Sequence, residues 1–296
     1  MDFRKLTLND IKIIKPFMAE NPDRLCDATV GGTFMWRKFF HTEYAIIDGS
    51  LVFKILHING KTAFSVPLGG DTRAALSYLS GYCSSRDIEL FFASVSEPAL
   101  KVLGANFSAI EATPERNWFD YLYLAEDFAS FAGRRFSGQR NHINHFKRAC
   151  PDFSFEPFTQ DDAEQVREFL HTHAQTAQKT SPLAKAEEEA AVEVIDNFEV
   201  YGMSGAVLRN GGKIIGFTAG EQTGDTMYVH IEKGDIAFPG VYQVLSNEYA
   251  KLCVNNGATY INREDDSGDE GLRTSKLSYH PIQLLEKYTV KATDPV

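Results

Sequence analysis

The sequence predicts a mixed α/β protein made of two similar domains in tandem. Three observations predict it. The chain has 296 residues, too many for one small domain and suited to two of about 150 residues each. Apolar residues alternate between the two-residue period of strands and the 3.6-residue period of helices along its whole length. The order of elements in the second half recurs in the first at a spacing of about 150–170 residues, longer than a solenoid repeat.

The second half opens with "SFEPFTQDDAEQVREFLHTHAQ", a strand and then a helix capped by Thr159 or Asp161, with Val166, Phe169 and Leu170 inward. In "SPLAKAEEEAAVEVIDNF", Ser181 is the expected N-cap and Pro182 the first helical residue. Ala191, Val194, Ile195 and Phe198 share a face of that helix. Three strands follow, with turns at Asn210-Gly211 and Gly224-Asp225. "PGVYQVLSNEYAKLCVNNG" reads as a helix ending at Gly257, "ATYINRE" as a strand, "GLRTSKL" as a short helix and "IQLLEKYTV" as a last strand.

The first half repeats the pattern. Two helical stretches, "TLNDIKIIKPFMAE" and "DATVGGTFMWRKFF", precede three strands with turns at Asp48-Gly49 and Asn59-Gly60. "TRAALSYLSGYCSSRD" is a helix, "IELFFASVS" a strand, "EPALKVLG" a short helix and "NWFDYLYLAED" a strand. The expected domains are residues 1–132 and 151–296, joined by a basic helix over 133–150. In that helix Phe136, Ile143, Phe146 and Cys150 share one face. Arg134, Arg135, Arg140, His142, His145, Lys147 and Arg148 crowd the rest, and no acid interrupts Gly133 to Cys150.

Composition excludes several classes. A net charge of −10 removes whole-surface attraction to nucleic acid, so DNA is not expected as a partner and tRNA would need a local basic patch. No apolar run approaches the roughly 20 residues of a membrane span, and "MDFRKLTLND" contains no secretory signal core. The four cysteines, Cys26, Cys83, Cys150 and Cys253, are far apart and read as reduced thiols of a cytoplasmic protein, with no metal site expected.

The second-half order resembles that of GNAT acyltransferases, and the tandem arrangement resembles the Fem family of aminoacyl-tRNA-dependent transferases. More closely, "FAGRRFSGQRNHINHF" and "NREDDSGDEGLRTSKLSYHP" are similar to signature stretches of a bacterial family grouped with the C-terminal domain of phosphatidylglycerol lysyltransferases. The resemblance covers nearly the whole chain. It implies two GNAT-like domains and an acyl- or aminoacyl-transferase without a permanently bound cofactor. The donor would be acyl-CoA or aminoacyl-tRNA, and the acceptor an amine or hydroxyl of a small cytoplasmic molecule. Two departures stand out: the lysyltransferases' large transmembrane portion is missing, and "DIAFPGVYQ" replaces the GNAT pyrophosphate loop. Both donors therefore stay open.

Acyl transfer needs a held donor, an electropositive group for the developing oxyanion, and proton transfer at acceptor and leaving group. In the GNAT arrangement strands four and five splay and the donor enters the gap. Strand four here is "TMYVHIEKG", and alternation puts His230 and Glu232 on one face, either being a candidate base or simply part of a polar strand face. Lys233 would pair with Glu264, anchor a phosphate or stay in solvent. Pro239 and Gly240 start the next helix, and Gly240 would admit a phosphate to its positive end. Tyr242 and Gln243 in its first turn would hydrogen-bond the donor. Asn262, Arg263, Glu264 and Asp266 end strand five on the acceptor side, while Asp269 and Glu270 are accounted for as acids at a helix N-terminus. Arg273 and Lys276, one turn apart, would face the donor together. Tyr279 stands where many GNAT enzymes place a general acid, and a core tyrosine is the competing reading. Arg134, Arg135 and Arg140 either hold donor phosphates or bridge the domains. The second half alone is expected to carry the site. The competing function class is a non-catalytic GNAT-fold module that binds a nucleotide or peptide.

Overall fold

Period-two stretches and capped amphipathic helices fold as their patterns demand in the computed structural model, which describes residues 2–19, 22–177, 181–293 and 295. In chain order the first half gives β1 (Arg4–Lys5), α1 (Ile11–Met18), α2 (Val30–Trp36), β2 (Glu43–Ile47), β3 (Ser50–Leu56), β4 (Thr62–Phe64), α3 (Thr72–Ser84), β5 (Phe91–Val95), α4 (Glu97–Asn106) and β6 (Ile110–Pro114). The side chains of Asp71 and Ser96 accept from Ala74 and Ala99 N–H and so cap α3 and α4. Ile47, Val52, Phe64, Leu76, Leu79 and Phe92 fill the core beneath this sheet.

The chain continues through β7 (Asp120–Leu124), α5 (Ala125–Ser130), α6 (Ser137–Ala149), β8 (Phe153–Pro157), α7 (Ala163–Ala177), α8 (Pro182–Asp196) and α9 (Phe198–Tyr201). Three long strands follow, β9 (Ser204–Asn210), β10 (Lys213–Thr223) and β11 (Thr226–Gly234), then α10 (Val241–Asn255) and β12 (Tyr260–Asn262). The end of the chain forms α11 (Glu270–Ser278), β13 (Gln283–Leu285) and β14 (Tyr288–Ala292). Ser181 caps α8 with Pro182 at its first turn, and Thr159 makes a capping box before α7.

Among the described residues there are two mixed seven-stranded sheets, ordered β1-β2-β3-β4-β5-β14-β6 and β13-β7-β12-β11-β10-β9-β8. Read from opposite ends the two orders match position by position, so the two sheets repeat one mixed α/β arrangement. The slot beside the fifth strand is filled in each case from the other half of the sequence. β14 pairs antiparallel with both β5 and β6, and β7 pairs antiparallel with β12.

This corrects the expected domain boundaries. One unit comprises 1–120, 265–273 and 284–296, and the other 121–264 and 274–283. "NWFDYLYLAED" does form a strand, but in the second sheet, and "IQLLEKYTV" splits into β13 and β14, which join different sheets. Local periodicity predicts that a segment is extended. Which sheet completes its hydrogen bonds is a long-range choice that periodicity does not encode. The basic helix α6 lies within the second unit and packs on α10 there, rather than forming a separate linker.

A candidate transferase site at the splay of two strands

Within the second unit, β11 and β12 pair in parallel over three residues only, Thr226 with Tyr260, Met227 with Ile261 and Tyr228 with Asn262. Beyond that point β11 runs on to Gly234, whereas the chain after Asn262 turns toward β7: Arg263 N–H donates to Tyr121 O and Tyr121 N–H to Glu264 O, both at 3.1 Å. The strands therefore part, leaving a gap between β11 and the end of β12. Glu264 has φ of +56°, a left-handed conformation unusual without glycine. Its N–H is held at 2.7 Å by the buried Asn262 Oδ1. Such strained residues persist where surroundings over-determine them, commonly at functional sites.

Two charged groups fill the gap. Arg263 Nη2 donates to Glu232 Oε1, and both side chains are nearly buried. The Arg263 guanidinium carbon lies 5.4 Å from the Phe128 ring centroid and 5.0 Å from that of Tyr279. Among the described residues no hydrogen-bond partner reaches its Nη1. Burial alone would weaken the charge, but Glu232 more than offsets it and the group stays cationic.

His230 is the extra residue of a β-bulge. The register with β10 passes from Ala219–Ile231 to Gly220–Val229, skipping it. Gly220 is required here, because a Cβ would stand 2.1 Å from the Tyr228 carbonyl oxygen. The bulge aims His230 between two carboxylates, with Nδ1 2.7 Å from Glu264 and Nε2 3.0 Å from Glu221. Burial by itself would deprotonate the ring, but hydrogen bonds and charge from both acids push its pKa up to about 10. His230 is thus an imidazolium with both N–H groups used. The expectation that it takes a proton from the acceptor gives way to a positioning role for the Glu264 turn.

Tyr279 is 2% exposed and stacks on Phe128, with ring centroids 5.1 Å apart. Its hydroxyl faces the side chains of Gln243 and Ser246, in the first turns of α10, whose polar groups favour the ionised form. Burial raises its pKa more than Arg263 lowers it, so the phenol keeps its proton. Gln139 of α6 holds the adjoining backbone, its Nε2 donating to Ser278 O at 2.8 Å.

The other expected residues divide by location. Pro239 is exposed and Gly240, at φ +94°, precedes α10. A Cβ there would lie 2.4 Å from His142 O, so the glycine answers the approach of α6 rather than of a phosphate. Tyr242 OH lies 3.2 Å from His173 Nε2. His173 in turn lines a shallow groove with Leu170, Glu187, Glu188, Ala191 and Lys233. Lys233 pairs with Glu187, not with Glu264. Asp266 and Arg273 belong to the first unit. There the fully buried Asp266 carboxylate accepts from Arg273 and Arg116, which removes it from the acceptor side and Arg273 from the donor. Lys276 is buried and donates to Arg263 O at 2.6 Å, leaving no shared donor-facing surface with Arg273. Arg135 pairs with Asp127 at 2.7 Å, Arg140 donates to the Phe131 and Gly133 carbonyls, and Arg134 is exposed. Asp269 Oδ1 accepts from Leu272 N–H and caps α11.

Sequence reading missed Glu221 and Ser246. Glu221 had a signal, an acid directly after the largely apolar run "IIGFTAG"; Ser246 had none. In the first unit Lys287 is buried beside Asp120 at 2.7 Å, Asp27 at 2.5 Å and the Cys26 thiol at 3.3 Å. Cys26, Asp120 and Asp265 bring ligand-type atoms within 4.8 Å of one another, but the lysine ammonium already supplies positive charge to this cluster.

Residues 21–291 match the family model described as phosphatidylglycerol lysyltransferase, C-terminal. The chain belongs to that family. A conserved protein of unknown function from Bacteroides thetaiotaomicron is 31% identical and superimposes with a TM-score of 0.90 over 99% of this chain and 100% of that one. L-PGS from Bacillus licheniformis shares the fold at 13% identity, with a TM-score of 0.67 over 95% of this chain and 91% of that one. An uncharacterised protein of Mycoplasmoides gallisepticum is 27% identical over 174 residues, 58% of this chain and 56% of that protein's length. The chain is thus a member of a transferase family of the acyl or aminoacyl class. Among the described residues no helix is long and apolar enough to cross a membrane.

Proposed function

We propose that this protein moves an aminoacyl group from a charged tRNA to a hydroxyl of an anionic phospholipid headgroup. One observation carries the reading: the gap between β11 and β12 holds a buried arginine 5.0 Å from the ring of a protonated tyrosine whose hydroxyl faces the first turns of α10. The acceptor oxygen attacks the ester carbonyl, and the bond to the tRNA ribose breaks. Arg263, held by Glu232, offsets the negative charge that develops on the carbonyl oxygen. Tyr279 gives its proton to the leaving ribose oxygen, and the proton of the attacking acceptor hydroxyl restores the phenol, so the exchange is proton-neutral. Glu264, at the rim of the gap and fixed by His230, orients the acceptor. The exposed cations of α6 favour a polyanionic donor.

The small cytoplasmic acceptor of the sequence reading is replaced here by a lipid, because the family is described by phosphatidylglycerol. Incubating the protein with lysyl-tRNA labelled in the amino acid and phosphatidylglycerol vesicles, then extracting into organic solvent, tests the proposal. Label in the lipid phase is expected. Label only on a water-soluble acceptor, or thiol release in a parallel acyl-CoA reaction, would overturn it.

A further inference from the structure

We propose that the loop between β11 and α10, with the adjoining flank of α6, is a docking surface for an anionic lipid bilayer. The inference rests on the lipid acceptor proposed above and adds where the protein meets the bilayer. Ile236, at 71% exposure, is the most exposed large apolar side chain among the described residues. It begins an apolar run, Ile236-Ala237-Phe238-Pro239, in which only Phe238 is half-buried. Isolated exposed apolar residues need no explanation, but a continuous apolar tip does.

The tip is held in shape. Asp235 Oδ1 accepts from Ala237 N–H and Asp235 O from Phe238 N–H, both at 3.0 Å, and Phe238 O accepts from Val241 N–H at 3.0 Å. These bonds, with Asp235 N–H donating to Ile215 O of β10 at 2.8 Å, fix the backbone and leave the apolar side chains of Ile236, Ala237 and Pro239 outward. The far end of the loop rests on α6 through Gly240 and His142. Lys147 also approaches Glu248, at 4.0 Å, so α6 runs beside α10 in the same sense and its first turns flank the loop. Arg134 and Arg135, just before that helix, and Lys147 and Arg148, in its last turn, are exposed along it. The neighbouring acids include Asp127, paired with Arg135, Asp235, used by the turn, and Glu248, paired with Lys147 and Lys251. A rigid apolar tip beside a stripe of cations matches an interface of acyl chains and anionic headgroups. A nucleic acid would use the cations but offers nothing to Ile236.

The test is co-sedimentation with vesicles of phosphatidylglycerol and phosphatidylcholine against pure phosphatidylcholine. Wild-type protein is expected to sediment with the anionic vesicles and to be released by salt. Ile236→Asp should weaken binding about tenfold or more, and Arg134→Glu with Arg148→Glu should do the same. Ile58→Asp, at another exposed apolar residue of the first unit, should bind as wild type. Failure of wild type to bind, or Ile236→Asp binding as tightly as wild type, overturns the proposal. Binding to tRNA without binding to vesicles overturns it as well. Because sedimentation reads no turnover, vesicle binding without lipid labelling would strike the proposed reaction alone. Transfer to detergent-dispersed lipid without vesicle binding would strike the docking surface alone.

Discussion

Arg263 and Glu232 form a nearly buried ion pair across the gap that opens where β11 outlasts β12. Neither residue is at a surface where solvent could replace the partner, so each depends on the other. Removing one partner of such a pair leaves an uncompensated charge in a low-dielectric site.

Glu232→Gln is therefore expected to destabilise the protein by about 3–5 kcal/mol, read by chemical denaturation. The double variant Glu232→Leu, Arg263→Met should recover most of that loss while abolishing transfer. A double variant as unstable as the single one would show that packing, not charge, holds the gap.

His230 predicts a pH dependence. Its folded pKa of about 10 exceeds the ordinary histidine value of 6.5. The group binds its proton more tightly when folded, so its stabilisation is complete below pH ~6.5 and is lost as pH rises toward 10. The melting temperature should fall over that window, and fall less steeply in His230→Gln. Equal slopes for the two proteins would remove His230 from the account.

Tyr279→Phe should lower transfer by about 10²–10⁴-fold while leaving tRNA affinity nearly unchanged. The hydroxyl acts on the leaving oxygen, not on donor binding. Unchanged turnover would return Tyr279 to a core role, stacked on Phe128.

The arginines of the basic segment should separate. Arg140 caps the Phe131 and Gly133 carbonyls, so Arg140→Ala should cost roughly 1.5–3 kcal/mol. Arg135 is paired but half exposed, and Arg135→Ala should cost under about 1 kcal/mol. Arg134→Ala should leave the melting curve in place and instead weaken salt-sensitive binding to tRNA or anionic lipid. Identical melting losses in all three would contradict this division.

Much of this was legible in the sequence. Caps at Thr159 and Ser181, turns at Asn210-Gly211 and Gly224-Asp225, and apolar periodicity are local signals, and the elements they announce are present. The polar stretch after Asn262 was also marked as chemistry-bearing, because so many titratable groups directly follow an apolar strand. Its division was not legible. Asp266 and Arg273 bind one another in the first unit, whereas Arg263, Glu264 and Lys276 serve the second. The sheet positions of β7 and β14, the burial of His230 between Glu221 and Glu264, and the contact of Gly240 with His142 were decided by the tertiary structure alone. The physical reason is common to all of them. Periodicity and capping depend on residues a few positions apart, which the sequence states outright. The partner of a strand edge, a carboxylate or a ring nitrogen is chosen by where distant segments meet, and only the packed chain settles that choice.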